Sequence, residues 1–274
     1  MAPDVSCSQL ANTEPIAPVK CPERWRPTKF IATPRGLRAS RDRSRVGVSS
    51  RCIADIQAQW YERVLRAHAC GRLMDLGCGE APLYGIYRDL VNEVVCVDWA
   101  GSFHSQMHLD HEADIGDKVP YEDECVDTVL VTDVLEHIAE PLTTMRESAR
   151  VLRRNGKVII GVPFYYWIHE GPHDYYRYTE FALRRFCKLS GLEVVQLEAY
   201  GGIPEVLADL TAKTVEYFPR PLRVMLRAVH PAFALLNRTS FARRLSERTK
   251  GLFPLGYIVV AQKLSTGSKQ TYAA

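Results

Sequence analysis

Short apolar segments alternate with longer amphipathic segments along most of this 274-residue chain, and this alternation limits the possible folds more than any other feature. The apolar segments are rich in β-branched residues, which favour strands. They lie at residues 72–76, 93–97, 105–109, 126–132, 157–162, 192–198 and 256–262. Buried strands that alternate with amphipathic helices are typical of a parallel sheet with helices on both faces. We therefore predict an α/β fold with a doubly wound, mostly parallel sheet.

Two of the intervening helices have clear sequence signals. The first is predicted from Ser49 onward, and Gly71 is its expected stop. Its apolar residues recur at three- and four-residue steps, at Ile53, Ile56, Trp60, Val64 and Leu65. The second begins at Pro141, which suits the first helical turn, and Gly156 is its expected cap.

The basic residues are concentrated in two segments on either side of an acidic centre. Residues 1–50 and residues 203–255 each contain nine Lys or Arg against four Asp or Glu, although the net charge of the chain is only +3. Six prolines and no sustained periodicity predict a loosely attached arm at the start of the chain. The predicted divisions are a basic, proline-containing, partly disordered arm at 1–48, a core at 49–202, a basic helical insertion at 203–255, the last strand of the core at 256–264 and a tail at 265–274.

Composition and hydropathy exclude several classes of protein. Apolar residues make up 46% and charged residues 24%, so most of the chain is neither disordered nor collagen-like nor a coiled coil. No run approaches the ~18 apolar residues of a membrane span. The first twenty residues lack the basic start and apolar stretch of a signal peptide. We expect a cytoplasmic protein, with peripheral membrane contact through 203–255 as a further hypothesis.

A glycine-rich turn follows the first strand of the predicted core. Gly77-Cys78-Gly79 leads into a helix, and its glycines allow the backbone to approach a ligand closely. Nineteen residues after Gly79, Asp98 ends the next strand, where a carboxylate can accept both hydroxyls of a ribose. Ala81-Pro82 stands where a dinucleotide-binding turn needs its third glycine, and Asp75 suits a positively charged ligand better than a pyrophosphate. These features predict a nucleoside ligand that is not a nicotinamide dinucleotide.

Four motifs in succession resemble those of class I S-adenosylmethionine-dependent methyltransferases. They are DLGCGEAP, VDWA, ADIGDKVPYEDECVDTVLVTDVLEHI and RVLRRNGKVIIGVPF. The resemblance covers about residues 50–200 and the final strand. It implies a seven-stranded Rossmann-like methyltransferase sheet whose last strand, at 256–262, is antiparallel, and S-adenosyl-L-methionine as the cofactor.

The resemblance also implies roles for individual residues. The cofactor-binding set is Asp75, Gly77, Cys78 and Gly79 at the methionine part, Asp98 at the ribose, Trp99, Asp114 and Ile115 at the adenine, and Asp133 facing the cofactor. Other interpretations stay open at this point. Asp114 could be solvated in a polar loop, and Asp133 and Glu136 could be capping groups at a helix start.

The segment 164–179 contains seven aromatic residues among sixteen, interleaved with His, Asp, Glu and Arg. This mixture favours a pocket that offers stacking faces and hydrogen bonds over the packing of a long loop. HEGPHDYYRYT in this segment resembles a signature of methyltransferases from bacterial surface-polysaccharide and secondary-metabolite pathways, which implies a sugar acceptor or a lipid- or nucleotide-carried sugar. Histidine suits the removal of a hydroxyl proton. We expect His169 or His173 to be the base, with Asp174 and Tyr176 orienting it and His137 as a further candidate.

Three alternatives remain. The first is a metal site, because this chain resembles the magnesium site of small-RNA 2′-O-methyltransferases at Asp133, Glu136 and His137, with Asp174 or His173 as a further ligand. Many methyltransferases carry the same Glu-His pair without metal, so no metal is assigned. RNA as the acceptor would use the basic segments as phosphate contacts, yet neither segment interleaves basic and aromatic residues, so nucleic acid is not expected. A non-catalytic scaffold that binds the cofactor is the third alternative. We expect a small-molecule or carbohydrate partner, and the oligomeric state is left open.

Overall fold

A computed structural model describes residues 18–102, 107–219, 221 and 239–264. Its strands are β1 (Phe30–Thr33), β2 (Gly36–Ala39), β3 (Arg72–Leu76), β4 (Glu93–Asp98), β5 (His111–Glu112), β6 (Val126–Thr132), β7 (Leu152–Pro163), β8 (Leu192–Tyr200) and β9 (Gly256–Lys263). Its α-helices are α1 (Arg51–His68), α2 (Tyr84–Tyr87), α3 (Pro141–Val151), α4 (Glu180–Leu189), α5 (Ile203–Val215) and α6 (Ser240–Thr249). Short 3-10 helices lie at Pro22–Arg24, Val48–Ser50 and Leu135–His137.

Seven of the strands form one sheet in the order β5-β4-β3-β6-β7-β9-β8. Neighbouring strands are parallel except at β9, which runs antiparallel to both β7 and β8. The predicted doubly wound, mostly parallel seven-stranded sheet is therefore confirmed. The strand order reverses between β3 and β6, so the carboxyl ends of these two strands border the crevice in which open α/β sheets bind ligands.

Alternate residues of each central strand enter two separate cores, because successive side chains of a strand point to opposite faces. Leu73, Leu130 and Ile159 pack with α1 on one face of the sheet. Met74, Val129 and Ile160 pack with Met145 of α3 and Leu183 of α4 on the other. This double coverage explains why the strands read as continuous apolar runs.

The N-terminal segment differs from the predicted loose arm. β1 and β2 form an antiparallel hairpin that packs on α1, with Phe30 and Leu37 buried. Backbone N–H groups of the hairpin donate to α1 carboxylates, Leu37 to Glu62 and Ala39 to Asp55. The expectation of a loosely attached arm is therefore wrong for residues 18–48, and residues 1–17 lie outside the described part of the chain.

Two predicted boundaries are corrected. The described part of the predicted strand 105–109 is not a strand: residues 107–109 are turn and coil, and the edge strand is His111–Glu112. Gly156 does not cap the helix that starts at Pro141, because α3 ends at Val151 and Leu152 already pairs with Val126 as a strand.

The predicted insertion contains α5 and α6. The rest of it, residues 220 and 222–238, and the tail 265–274 lie outside the described residues. Among the helices that the structure describes, none combines the length and apolar character needed to cross a membrane.

Candidate active site

The glycine turn after β3 lies against the carboxyl end of β4. Gly77 and Cys78 donate backbone hydrogen bonds to the carbonyl of Val97 at 2.8 and 3.3 Å. Gly77 has a φ of 74°, and a Cβ atom there would lie 2.6 Å from a methyl group of Val134. Glycine is therefore required at this position by both conformation and space.

Asp98, the last residue of β4, is held by this turn. Its Oδ2 accepts a hydrogen bond from the Gly79 N–H at 2.9 Å, and its Oδ1 accepts from the Trp99 N–H at 2.8 Å. The residue is only 7% exposed. The carboxylate thus has a fixed orientation at the sheet edge where the sequence predicts it.

A cavity of about 430 Å³ opens at this edge, and we call it the strand-end cavity. Most predicted cofactor residues line it: Gly77, Asp98, Trp99, Asp114, Ile115 and Asp133. Asp114 also accepts a hydrogen bond from the Gly116 N–H at 2.8 Å, so a local turn holds it.

The other three predicted cofactor residues lie elsewhere. Cys78 and Gly79 line a neighbouring cavity, described next. Asp75 lines neither cavity: it is 4% exposed and accepts a 2.9 Å hydrogen bond from the Tyr87 hydroxyl. Burial raises the pKa of Asp75 to about 7.

The neighbouring cavity has a volume of about 510 Å³, and we call it the loop cavity. One wall comes from the N-terminal segment and α1, including Lys29, Arg45 and Tyr61, and another comes from the aromatic segment, including Tyr166 and His169. Four residues line both cavities: Gly77, Asp133, His137 and Glu170. We call these four residues the shared wall.

Asp133 of the shared wall receives three side-chain donors. Its Oδ2 lies 2.7 Å from the Lys29 Nζ, and its Oδ1 accepts from the Gln57 amide at 3.0 Å and the Tyr61 hydroxyl at 3.1 Å. Its φ is 54°, in the left-handed region. Burial opposes the charge of Lys29, but the Asp133 carboxylate outweighs it and raises the pKa of Lys29.

Sequence reasoning missed these three donors. Gln57 and Tyr61 are one helical turn apart on α1, which indicates a shared face but no partner. Lys29 lies in the predicted N-terminal arm, in which we predicted no site residue. It contacts a residue 104 positions away, and no local pattern signals such a contact.

The 3-10 helix after β6 carries Glu136 and His137. Glu136 is fully buried, and neither of its carboxylate oxygens has a hydrogen-bond partner among the described residues. Burial, together with the Asp133 charge, raises the pKa of Glu136 well above its usual range. The His137 Nδ1 lies 2.8 Å from the His173 carbonyl, which makes Nδ1 the protonated nitrogen and turns Nε2 toward Glu136 and Glu170.

An ion pair between Asp174 and Arg177 fixes the aromatic segment. The guanidinium donates to both oxygens of Asp174, at 2.6 and 2.9 Å, and also to the Trp167 carbonyl at 2.8 Å. Arg177 lowers the pKa of Asp174 to about 2. Asp174 in turn accepts from the His169 N–H at 2.9 Å, so its charge anchors the loop that carries His169.

The predicted catalytic residues occupy different places. His169 lines the loop cavity, with its ring between His137 and Tyr166 and its Nδ1 3.4 Å from Asp174. His173 lines the strand-end cavity and packs edge-on against Trp99 at 5.2 Å. Tyr176 lines neither cavity, since its hydroxyl donates to the Ala139 carbonyl at 2.9 Å. Burial and the neighbouring His137 lower the pKa of His169.

Comparison with known proteins identifies the domain. A family model described as a methyltransferase domain matches residues 74–160. An uncharacterized 37.1 kDa protein in transposon TN4556 of Streptomyces fradiae is 30% identical over 101 residues, covering 33% of this chain and 29% of that protein. The chain spans less than a third of the length of the curated relatives that it matches.

Solved structures share the fold at low sequence identity. A geranyl diphosphate methyltransferase in complex with S-adenosylmethionine is 14% identical with a TM-score of 0.51, covering 82% of this chain and 93% of that one. A SAM-dependent methyltransferase from Archaeoglobus fulgidus is 14% identical with a TM-score of 0.48, covering 76% and 93%. The family model supports the methyltransferase resemblance over residues 74–160, while the polysaccharide subgroup stays a prediction. Residues 74–160 therefore match a methyltransferase domain, and the chain shares its seven-stranded fold with the geranyl diphosphate methyltransferase.

Proposed function

We propose that the protein transfers a methyl group from S-adenosyl-L-methionine, held in the strand-end cavity, to an oxygen of a small or carbohydrate-type acceptor in the loop cavity. The observation that carries this proposal is the shared wall. Two cavities of about 430 and 510 Å³ meet at four common residues, so a donor and an acceptor can lie side by side. Holding two reactants in this way can lower the activation free energy of a bimolecular reaction by about 7–11 kcal/mol in ideal cases.

The residues of the strand-end cavity fit an adenosine-containing donor. Asp98 offers a buried, oriented carboxylate to the ribose hydroxyls, and Trp99 and Ile115 offer apolar faces to the base. Asp133, paired with Lys29, lies on the shared wall, where the reacting end of the donor would face the acceptor. When bound, S-adenosylmethionine supplies a methyl group activated by its sulfonium.

The loop cavity fits a polyhydroxylated acceptor, free or carried on a lipid. Its lining combines two aromatic residues, Tyr166 and Phe30, with the polar residues Ser44, Ser50 and Glu170. Sites for small polar ligands usually pair a few oriented polar groups with aromatic surface. Its volume of about 510 Å³ is within the usual range for such sites.

His169 is the base in this proposal. The Trp167 carbonyl and Asp174 lie on the Nδ1 side of its ring, at 3.3 and 3.4 Å, which favours a proton on Nδ1 and a lone pair on Nε2. Its lowered pKa keeps the ring neutral at neutral pH. Nε2 would accept the acceptor's hydroxyl proton, and the bound donor would supply the methyl group to that oxygen and keep the carbon–sulfur electron pair on its sulfur. Asp174 orients the ring. His173 belongs to the donor site, and the Tyr176 hydroxyl donates to the Ala139 carbonyl and so stabilises the wall of the strand-end cavity.

A second candidate is methyl transfer assisted by a divalent metal. Potential ligand atoms of Glu136, His137 and His169 lie within 4.8 Å of one another, and the unpartnered oxygens of Glu136 suit a cation. Two imidazoles and a carboxylate form a donor set that transition ions accept readily. A metal would polarise an acceptor oxygen, and the chelator and metal-content experiment below separates this candidate from the metal-free one.

The deciding experiment is incubation with methyl-labelled S-adenosylmethionine and fractionated cell extract. Label in glycan or lipid-linked glycan supports the proposal, whereas label in RNA or protein contradicts the acceptor class. Demethylated cofactor that forms only when a candidate acceptor is present excludes a scaffold. For RNA, affinity that falls steeply with salt would favour the nucleic-acid alternative. Activity lost to a chelator and restored by one metal, with that metal bound at one equivalent, would favour the second candidate.

A further inference from the structure

The Lys29–Asp133 ion pair lies where the charge of the reaction changes. This inference rests on the proposed function. The methyl group can pass between the cavities only at residues that line both, so the sulfonium lies near Gly77, Asp133, His137 and Glu170. The donor carries a positive sulfonium before transfer, and its product, S-adenosylhomocysteine, carries a neutral sulfur. A net charge on the shared wall therefore changes the affinity for the charged donor and has little effect on the affinity for the neutral product.

The charges at this wall are few. Glu136 and His169 line the loop cavity only, so neither belongs to the shared wall. Glu170 is 41% exposed, so water screens it. Arg45 is paired with Glu80 at 2.7 Å. Asp133 is thus the best-ordered carboxylate of the wall, and Lys29 is its cationic partner at 2.7 Å.

We propose that Lys29 is a positioning residue that sets the relative affinity of the site for S-adenosylmethionine and S-adenosylhomocysteine by neutralising Asp133 at the shared wall. Without Lys29, the carboxylate attracts the sulfonium more strongly and the donor binds too tightly relative to its product. Without the carboxylate, the ammonium repels the sulfonium and the product is favoured. With both, the site discriminates little on charge, which eases exchange of product for fresh donor.

Calorimetry with S-adenosylmethionine and S-adenosylhomocysteine at pH 8 tests this inference without any acceptor. The measured quantity is the ratio of the product's Kd to the donor's Kd. Lys29→Met should raise this ratio about three- to tenfold, and Asp133→Asn should lower it by a similar factor, as expected for unit charges several ångströms apart at a partly hydrated site. Asparagine tolerates the left-handed φ of 54° at this position, so the backbone is preserved.

Three further variants complete the design. Lys29→Arg keeps the charge and should keep the wild-type ratio. The double variant Lys29→Met/Asp133→Asn removes both charges and should return the ratio to within about twofold of wild type, which a purely structural role would not do. Arg41→Met is the matched control, since it breaks an exposed pair with Asp55 in the same N-terminal segment and should leave the ratio unchanged.

The outcomes separate the two proposals. If both single variants leave the ratio unchanged, or move it in the same direction, the inference about Lys29 is overturned while the proposed function stands. If the wild-type protein binds neither compound, the proposed function fails. Should Asp133→Asn prevent folding, Lys29→Met and Lys29→Arg still decide the question.

Discussion

Asp98 is the residue on which donor binding should depend most strongly. Its Oδ2 accepts from the Gly79 N–H and the Ser102 hydroxyl and its Oδ1 from the Trp99 N–H, so Oδ1 keeps a lone pair for the ribose of the proposed donor. Hydrogen bonds to a charged group contribute roughly 1.5–3 kcal/mol, so Asp98→Ala should weaken S-adenosylmethionine binding at least about tenfold by calorimetry. Asp89→Ala, at an exposed carboxylate beside Arg88, is the control. Equal affinity for wild type and Asp98→Ala, or tighter binding of NAD than of S-adenosylmethionine, would contradict the assignment.

The two candidate histidines should separate in function because they line different cavities. His169→Ala should lower turnover by about 10²–10⁴ and leave donor affinity nearly unchanged, since a base acts only in the chemical step. His173→Ala should mainly weaken donor binding, because the ring packs on Trp99. Steady-state kinetics and calorimetry on both variants give the comparison. Full activity in His169→Ala would show that His169 is not the base.

The pH dependence of the reaction should report the environment of His169. Only the neutral imidazole can act as a base, and burial and His137 lower its pKa below the ordinary value of 6.5. Activity should therefore persist below pH 6.5, with the acid limb of the kcat/KM profile at lower pH. An acid limb above pH 6.5 that survives in His169→Ala would assign the titration to another group.

Residue assignments could be predicted where a rule of the fold applies. Asp98 follows from its place at a strand end, because the carboxyl ends of neighbouring parallel strands meet at one edge. The family resemblance implied Trp99, Asp114 and Ile115, and these residues line the same cavity. The division of His169 and His173 between two cavities could not be predicted, because it depends on how a long irregular loop turns. Glu136, considered as a helix cap, is a buried carboxyl with no hydrogen-bond partner for its oxygens among the described residues.

At the scale of elements, the contact where α1 crosses β7 should tolerate added side-chain volume poorly. A Cβ atom on Gly161 would lie 2.1 Å from the Tyr61 hydroxyl, the group that donates to Asp133. Gly161→Ala should destabilise the fold by about 1–3 kcal/mol through overpacking, which corresponds to a melting temperature lowered by roughly 2–10 °C. Gly251→Ala, where no atom lies within 4 Å of the added Cβ, is the control. A melting temperature equal to that of the control would show that Tyr61 moves aside freely.

Elements with strong periodicity were predictable, and elements defined by distant contacts were not. The apolar strands and α1 follow from local patterns. The two-residue strand β5 is too short for any pattern, and β7 begins with an exposed polar stretch after Leu152 that resembles a helix end. The β1–β2 hairpin is stabilised by Glu62 and Asp55 of α1, and its own sequence gives no sign of those partners.

At the scale of the whole molecule, the uneven charge leads to a membrane prediction. Arg220, Arg223 and Arg227 are expected on one face of a helix in the basic insertion, a part of the chain outside the described residues. Each basic residue near an anionic surface contributes about 1 kcal/mol, so the protein should sediment with anionic vesicles and not with neutral ones at low salt. A variant with all three arginines changed to Gln is the control and should stay in solution. If the intact protein stays in solution with both vesicle types, the insertion is only a cap on the core.

The two cavities are lined largely by different parts of the chain. Thirteen of the sixteen residues that line the strand-end cavity lie in 77–140, within the matched domain, whereas nearly half of the loop cavity comes from residues 28–61, which precede that domain. Changes at loop-cavity positions such as Ser44 and Val46, which do not line the strand-end cavity, are therefore expected to alter the proposed acceptor site and leave the proposed donor site intact. Directed evolution at the loop-cavity positions in 28–61 other than Lys29, Gln57 and Tyr61, the three residues that donate to Asp133, should yield new acceptor preferences on an unchanged donor site.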